Sequence, residues 1–433
     1  MRRNIGIALT AVALVVAACG SGGAEPTTPG GDGSLEGTTV TVGGAFVDVE
    51  ATRFEEAVKA FEDATGVNVV YSGDKSFEQA LQVQVQAGNP PDVGLLPQPG
   101  AMKGYAAQGS LFPLPDNILA SIDANYGPGW KEVGMADDGK AYGVFHRVNL
   151  KGLVFYPKAV WEDKGYAVPE TWDELRTLMD ATAADGTPAW CIGIESGAAT
   201  GWAFTDWVEL LMLRTVGAEG YDRWVAGDML FTDASVERAF ELVTEIWTNR
   251  DYAFGGPEYI VQTNFGEAPK AAFDDPPKCL LTNQGNFITT FFPDDVQADL
   301  DNQVGVFALP AVDEAIGTPA MVGGDQAVAF ADRPEVWAFL EYLSTPEAGE
   351  TWQRAGGALF PYKTQDVSLY SSELDRAFAQ SIVDASFVRF DGGDAMPAVV
   401  GSGTFWSEPI KLLTGSQDLA TTLANIAASW PAE

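Results

Sequence analysis

The chain has 433 residues, of which 46% are hydrophobic and 11% aromatic, with one histidine and a formal net charge of −35. Such acidity excludes the clustered Lys and Arg that nucleic-acid or anionic-lipid surfaces need. The length exceeds one ordinary core and predicts two domains or lobes.

At the N-terminus, Arg2 and Arg3 precede an apolar run from Ile5 to Ala18 that ends in Val16-Ala17-Ala18-Cys19-Gly20. A charged start, a short apolar stretch and a small-residue cleavage site make residues 1–18 a secretory signal. The run is too short for a bilayer, which takes about 20 helical residues. A Cys directly after two alanines is the pattern of a bacterial lipoprotein, so Cys19 is the expected lipidated N-terminus; a plain secretory signal is the alternative. Residues 19–37 are rich in Gly, Pro, Ser and Thr and read as a flexible tether. The expected location is extracytoplasmic, anchored to the cell membrane by lipid. Of the three cysteines, Cys191 and Cys279 then remain as an even pair in an oxidising compartment. A disulfide between them would close a loop of roughly 90 residues, worth about 4–5 kcal/mol on the chain-entropy model. Two buried thiols are the alternative.

Beyond the tether, residues 38–44 read as a strand and residues 50–65 as a helix, with Phe54, Val58 and Phe61 at helical spacing and Gly66 as its stop. Residues 67–71 form a second strand, 77–87 a second helix, and 92–96 a third strand. This rhythm is that of a parallel α/β sheet, whose ligands sit beyond the carboxyl ends of the strands. Residues 44–46, 72–74 and 97–100 are therefore the places to look. The stretch 141–156 is apolar throughout, with His146 and Arg147 in its middle. Helices are predicted over 172–184, 204–216, 235–249 and 335–343, short strands over 191–194, 278–281, 304–309 and 327–330, and a helical tail from about residue 370. No internal repeat occurs. An acidic cluster of Asp294, Asp295, Asp299 and Asp301 could hold calcium, although its spacing is not that of an EF-hand loop. No other metal and no cofactor is expected.

Several segments together resemble the extracellular solute-binding proteins of carbohydrate ABC importers. They are Asn89-Pro90-Pro91-Asp92-Val93, residues 149–158 (NLKGLVFYPK), residues 169–175 (PETWDEL), Val306-Phe307-Ala308-Leu309-Pro310 and residues 337–344 (WAFLEYLS). Residues 190–202 (WCIGIESGAATGW) are similar to the α-glucoside branch. The resemblance implies an α/β, two-lobed, periplasmic-binding-protein-like fold of type II, with hinge crossings and a ligand cleft between the lobes. Crossings are expected near residues 146–150, near 309–312, and between 363 and 376. Lobe 1 would comprise residues 38–147 plus 312–368, and lobe 2 residues 148–311 plus 369–433. The implied partners are a sugar ligand, captured by closure of the lobes, and a membrane-embedded ABC permease; the receptor itself would be a monomer and perform no chemistry.

A sugar presents hydroxyls around its edge and C–H faces above and below, so its site needs carboxylates, amides or Arg together with flat aromatic rings. The resemblance points to Glu195 at a strand end, Trp202 after the loop 196–201, Phe405 and Trp406, and Phe287 with Gln284 and Asn286. Asp206 lies one helical turn beyond Trp202. Gly324 and Asp325 introduce a strand and offer backbone or carboxylate contact. On the first lobe, Asp74, Gln98 and Phe46 lie just past strand ends, and Arg147 offers a fork that can bind two hydroxyls at once. His146 reads as structural. The rival class is an extracellular glycoside hydrolase, which needs two carboxylates about 5–10 Å apart; 60 acidic residues make that criterion empty here. A single histidine allows no His-x-x-x-His zinc site, and neither a Gly-x-Ser-x-Gly elbow nor a P-loop occurs.

Overall fold

Strand β1 (Thr39–Gly44) alternates exposed and buried residues at its start, whereas β3 (Val93–Leu96) is buried along its whole length and sits inside the sheet. In this computed structural model, which describes residues 35–127, 129–384 and 389–431, the two strands pair in parallel, and β2 (Asn68–Gly73) flanks β1 on its other side. The sheet continues through β8 (Met321–Ala329) to β4 (Gly143–Lys151), both pairings antiparallel. β8 is long enough to carry β4 along one edge, with β3 and the two-residue β9 (Arg389–Phe390) sharing the other. Helix Asp48–Thr65 packs on this sheet by the predicted stripe of Phe54, Val58 and Phe61, joined by Ala57. The expected signal peptide, the expected lipidation site at Cys19 and the expected tether as far as residue 34 lie outside the described residues. Residues 35–37 are folded, with the Gly37 N–H donating to the Gly66 carbonyl at 2.8 Å.

A second, three-stranded antiparallel sheet has the order β6 (Thr282–Gln284), β5 (Leu153–Pro157), β7 (Val304–Ala308). Its residues alternate between two cores. Val154 and Phe307 face a helical mass that holds Trp190, Trp207, Trp224 and Trp247, while Leu153, Phe155 and Val304 join the larger core of the first sheet. Cys191 and Cys279 are joined by a disulfide with Cα atoms 5.4 Å apart. The segments that carry them are not the strands predicted over 191–194 and 278–281. They are extended chains whose backbone bonds to their neighbours make only isolated bridges, Trp190 to Leu281 and Ala253 and Glu195 to Asn264, and no continuous ladder. The helix predicted over 204–216 is longer, Trp202–Val225, with a kink at Gly217.

The chain leaves the first sheet for the second at Gly152, between β4 and β5, and returns between β7 and β8. Helix Glu373–Asp384 then starts against the second sheet's surroundings, where the Glu373 and Leu374 N–H groups donate to Asp301 at 2.9 and 3.1 Å. β9 rejoins the first sheet, and the chain then runs on to helix Phe405–Leu413 in the Trp-rich core. The acidic cluster considered for calcium is taken apart by these contacts. Asp301 serves the helix start, Asp299 accepts from Asn302 at 2.7 Å, and among the described residues no group of three or more potential ligands could hold a metal ion.

Candidate functional site

The carboxyl ends of β1 and β3, the outer half of β4 and the middle of β8 converge on one side of a cavity of about 720 Å³. Facing them are the loop after residue 194, the start of helix Trp202–Val225, residues 264–270 and 287–297, and the turn at 391–394. Two of the three loops singled out by the parallel-sheet rule supply lining residues, Phe46 from the first and Gln98 from the third.

One wall is aromatic. The Trp202 ring stands 5.1 Å from Phe265 and 6.0 Å from Phe287, and Phe265 lies 5.2 Å from Phe291. Gly201, at φ 121°, brings this wall against Trp406: a Cβ there would lie 2.2 Å from the Trp406 carbonyl oxygen. Glu195 borders the wall, with Oε1 accepting from the Gly197 N–H at 2.8 Å and Oε2 from the Asn264 amide at 3.1 Å. Those bonds, the Gly197 one first, hold its pKa below the usual carboxylate range and keep it charged.

The opposite side is ionic. Arg147 bonds Glu50 at 2.6 Å and approaches Asp325 at 3.5 Å, its guanidinium lying 4.9 Å from the Phe46 ring and 5.2 Å from Trp352. Burial pushes Asp325 up to about 6 against the pull of Arg147. Gly324 lines the same wall, and a Cβ on it would stand 2.6 Å from the Arg147 carbonyl oxygen. Lys151 bonds Asp206 at 2.8 Å and also Asp391, and its ammonium lies 5.7 Å from the Trp202 ring. Burial pushes Asp206 up to about 7, while Asp391, equally buried, is held below its ordinary value by Lys151 and is the charged partner. Behind them Glu209 accepts the Gly392 and Gly393 N–H groups at 2.7 and 3.0 Å, and burial raises its pKa strongly. Gln98 and Asn149 each keep a buried amide oxygen without a partner at the cavity's edge.

Of the residues expected from sequence, Phe46, Gln98, Arg147, Glu195, Trp202, Asp206, Phe287, Gly324, Asp325 and Trp406 meet at this one cavity. Four others do not line it. Phe405 is 0% exposed and packs against Phe231 at 5.0 Å and Trp224 at 5.7 Å, because neighbours on a helix point about 100° apart. Asn286 is also 0% exposed and accepts the Leu150 N–H at 2.9 Å, holding the end of β4. Gln284 folds back on the Gly285 N–H, and Asp74 accepts the Ser76 N–H at 2.8 Å at the start of helix Phe77–Gln86, beyond the edge strand. His146 packs edge-on to Phe54 and Phe46, and burial lowers its pKa to about 3, so it is a neutral core residue. Sequence reasoning missed Asn149 and Lys151, although Arg147, Asn149 and Lys151 share one strand face at a spacing of two. It also missed Glu50, Phe265 and Asp391, which no local pattern marks.

The description "Bacterial extracellular solute-binding protein" matches residues 48–350 of this chain. The osmoprotective compounds-binding protein GgtB of Synechocystis sp. is 39% identical over 93% of this chain and 95% of its own. The alpha-glucosides-binding periplasmic protein AglE of Rhizobium meliloti is 37% identical over 92% of this chain and 88% of its own. In fold, the bacterial solute receptor AcbH superposes with a TM-score of 0.77 at 19% identity, over 90% of this chain and 97% of that one. A chitin oligosaccharide binding protein does so at 0.76, with the same 90% and 97% coverage and 19% identity. The two sheets with their chain crossings are thus the two-lobed type II fold of periplasmic sugar-binding proteins. The chain belongs to the bacterial extracellular solute-binding proteins: it is a solute receptor of an ABC importer that works outside the cytoplasmic membrane, and not an enzyme.

Proposed function

We propose that the protein captures an α-glucoside, a di- or oligosaccharide, in this cavity and delivers it to its permease by hinge closure. The observation that carries the reading is the pairing of an aromatic wall (Trp202, Phe265, Phe287, with Trp406 beside it) with an ionic wall built on Arg147 and Lys151. Rings suit the C–H faces of a sugar, and the charged and amide groups suit its hydroxyls. The relative that binds alpha-glucosides supports the α-linkage. The ligand contacts are those of Glu195, Trp202, Trp406, Phe287, Arg147, Asp325, Gln98, Phe46, Asp206 and the backbone of Gly324. The lobes divide at 38–147 plus 312–368 against 148–311 plus 369–433, and the mature monomer is tethered through lipid on Cys19.

A second reading, a smaller osmoprotective solute, is favoured by the 39% identical relative. One thermal-shift panel separates the two. Residues 35–433 are screened against mono-, di- and oligosaccharides, with polyol glycosides and amino acids beside them. An α-linked disaccharide at a hundred times its Kd should stabilise the fold by about 2.7 kcal/mol. A response confined to the small glycosides selects the second reading, and a panel flat throughout, glycosides included, overturns both.

A further inference from the structure

A second cavity, of about 230 Å³, adjoins the first, and Thr290 and Gln297 stand in the walls of both. Helix Asp48–Thr65 also serves both: Glu50 lines the large cavity and Arg53, one turn on, lines the small one. Asp375 is 2% exposed and lines the annex; its Oδ2 accepts the Gly357 N–H at 3.4 Å, and its Oδ1 has no partner. A buried acceptor left in that state is destabilising, and a ligand hydroxyl would relieve it. Arg53 gives one N–H to the Gly356 carbonyl at 2.8 Å and keeps the rest of its fork for another acceptor. The Thr290 hydroxyl donates to the Phe287 carbonyl and the Gln297 amide to the Phe292 carbonyl, so the oxygens of both side chains remain open as acceptors.

The chemistry narrows the occupant. Asp299, Asp301 and Asp375 against a single guanidinium exclude a phosphate or carboxylate. No aromatic ring lines the annex, which excludes an apolar group, and no cluster of metal ligands exists among the described residues. Asp299 and Asp301 are already engaged by Asn302 and by the Glu373 and Leu374 N–H groups, which leaves Asp375 balanced by Arg53, so the annex suits a neutral, hydroxyl-rich group rather than a cation. Resting on the reading of the large cavity as a saccharide site, we propose that the annex is a further subsite that takes the terminal sugar unit of a trisaccharide or longer ligand.

Calorimetry with α-linked glucose di-, tri- and tetrasaccharides tests this on the wild-type chain and on Ser371→Trp. Ser371 is an exposed residue of the annex wall, so an indole there fills the annex while sparing the core. The wild type is expected to bind the trisaccharide at least tenfold more tightly than the disaccharide. Ser371→Trp should abolish that advantage and leave disaccharide affinity and melting temperature unchanged. Asp375→Asn should weaken the trisaccharide alone. Equal affinity for the two lengths in the wild type, or a trisaccharide advantage that survives Ser371→Trp, overturns the subsite and leaves the saccharide reading standing. Binding of no saccharide at any length overturns the saccharide reading, and the subsite falls with it.

Discussion

At the scale of single residues, the cavity joins one lysine to several buried carboxyl groups, and that imbalance has a consequence for pH. Asp206 has a folded-state pKa raised to about 7 by burial, well above its ordinary 3.8. A carboxyl raised in this way binds its proton more tightly when folded, so its contribution to stability is present at low pH and is lost as pH rises from about 4 to about 7. Asp325, raised to about 6 for the same reason, acts in the same direction. Asp206→Asn should therefore flatten the fall in melting temperature between pH 4.5 and 7.5 relative to wild type. Superimposable profiles would show that Asp206 is not the titrating group. Trp202 invites a test of a different kind. It is only half-buried and its ring faces the cavity, so Trp202→Ala should leave the fold intact while weakening saccharide binding by at least about 1.4 kcal/mol, tenfold in Kd. Unchanged affinity would move the aromatic platform to Trp406.

At the scale of elements, β4 carries more than its share of the molecule. Its outer half presents Arg147, Asn149 and Lys151 to the cavity, and its end is held by Asn286 just before the chain passes to β5. Gly152 makes that passage at φ 78°, where a Cβ would lie 2.6 Å from Leu210 Cδ2. Gly152→Ala should lower stability by more than about 1 kcal/mol in chemical denaturation, since it combines a left-handed backbone with a steric clash. A variant as stable as wild type would mean that the crossing relaxes freely. The elements themselves were largely legible. Phe54, Val58 and Phe61 mark their helix by spacing, and the capping box of Thr171 and Glu174 is present at the start of helix Trp172–Ala184. The segments at 191–194 and 278–281 were not, because an apolar, extended chain fixed by a disulfide has the composition of a strand while making only isolated bridges.

For the whole molecule, the cavity lies between walls each assembled from segments far apart in the chain, and a ligand that touches both walls favours their approach. Saturating saccharide should therefore contract the radius of gyration measured by small-angle X-ray scattering; an unchanged radius would mean that capture occurs without closure. The α/β class, the parallel start of the first sheet and the family follow from local facts: the apolar periodicities, the strand–helix rhythm, and segments such as residues 149–158. Such features are legible because burial imposes the same spacing wherever an element packs. Which side of a strand or helix meets the cavity is another matter. Trp406 and Phe405 are neighbours, yet one lines the cavity and the other fills the core. Lys151, Asp206 and Asp391 are far apart in sequence and form one ionic group only because three segments converge there. Sequence determined the fold and the chemical class of the protein by itself, because both rest on repeated short-range patterns. The walls of the site were decided only by the tertiary structure, because a long-range meeting of side chains leaves no local trace.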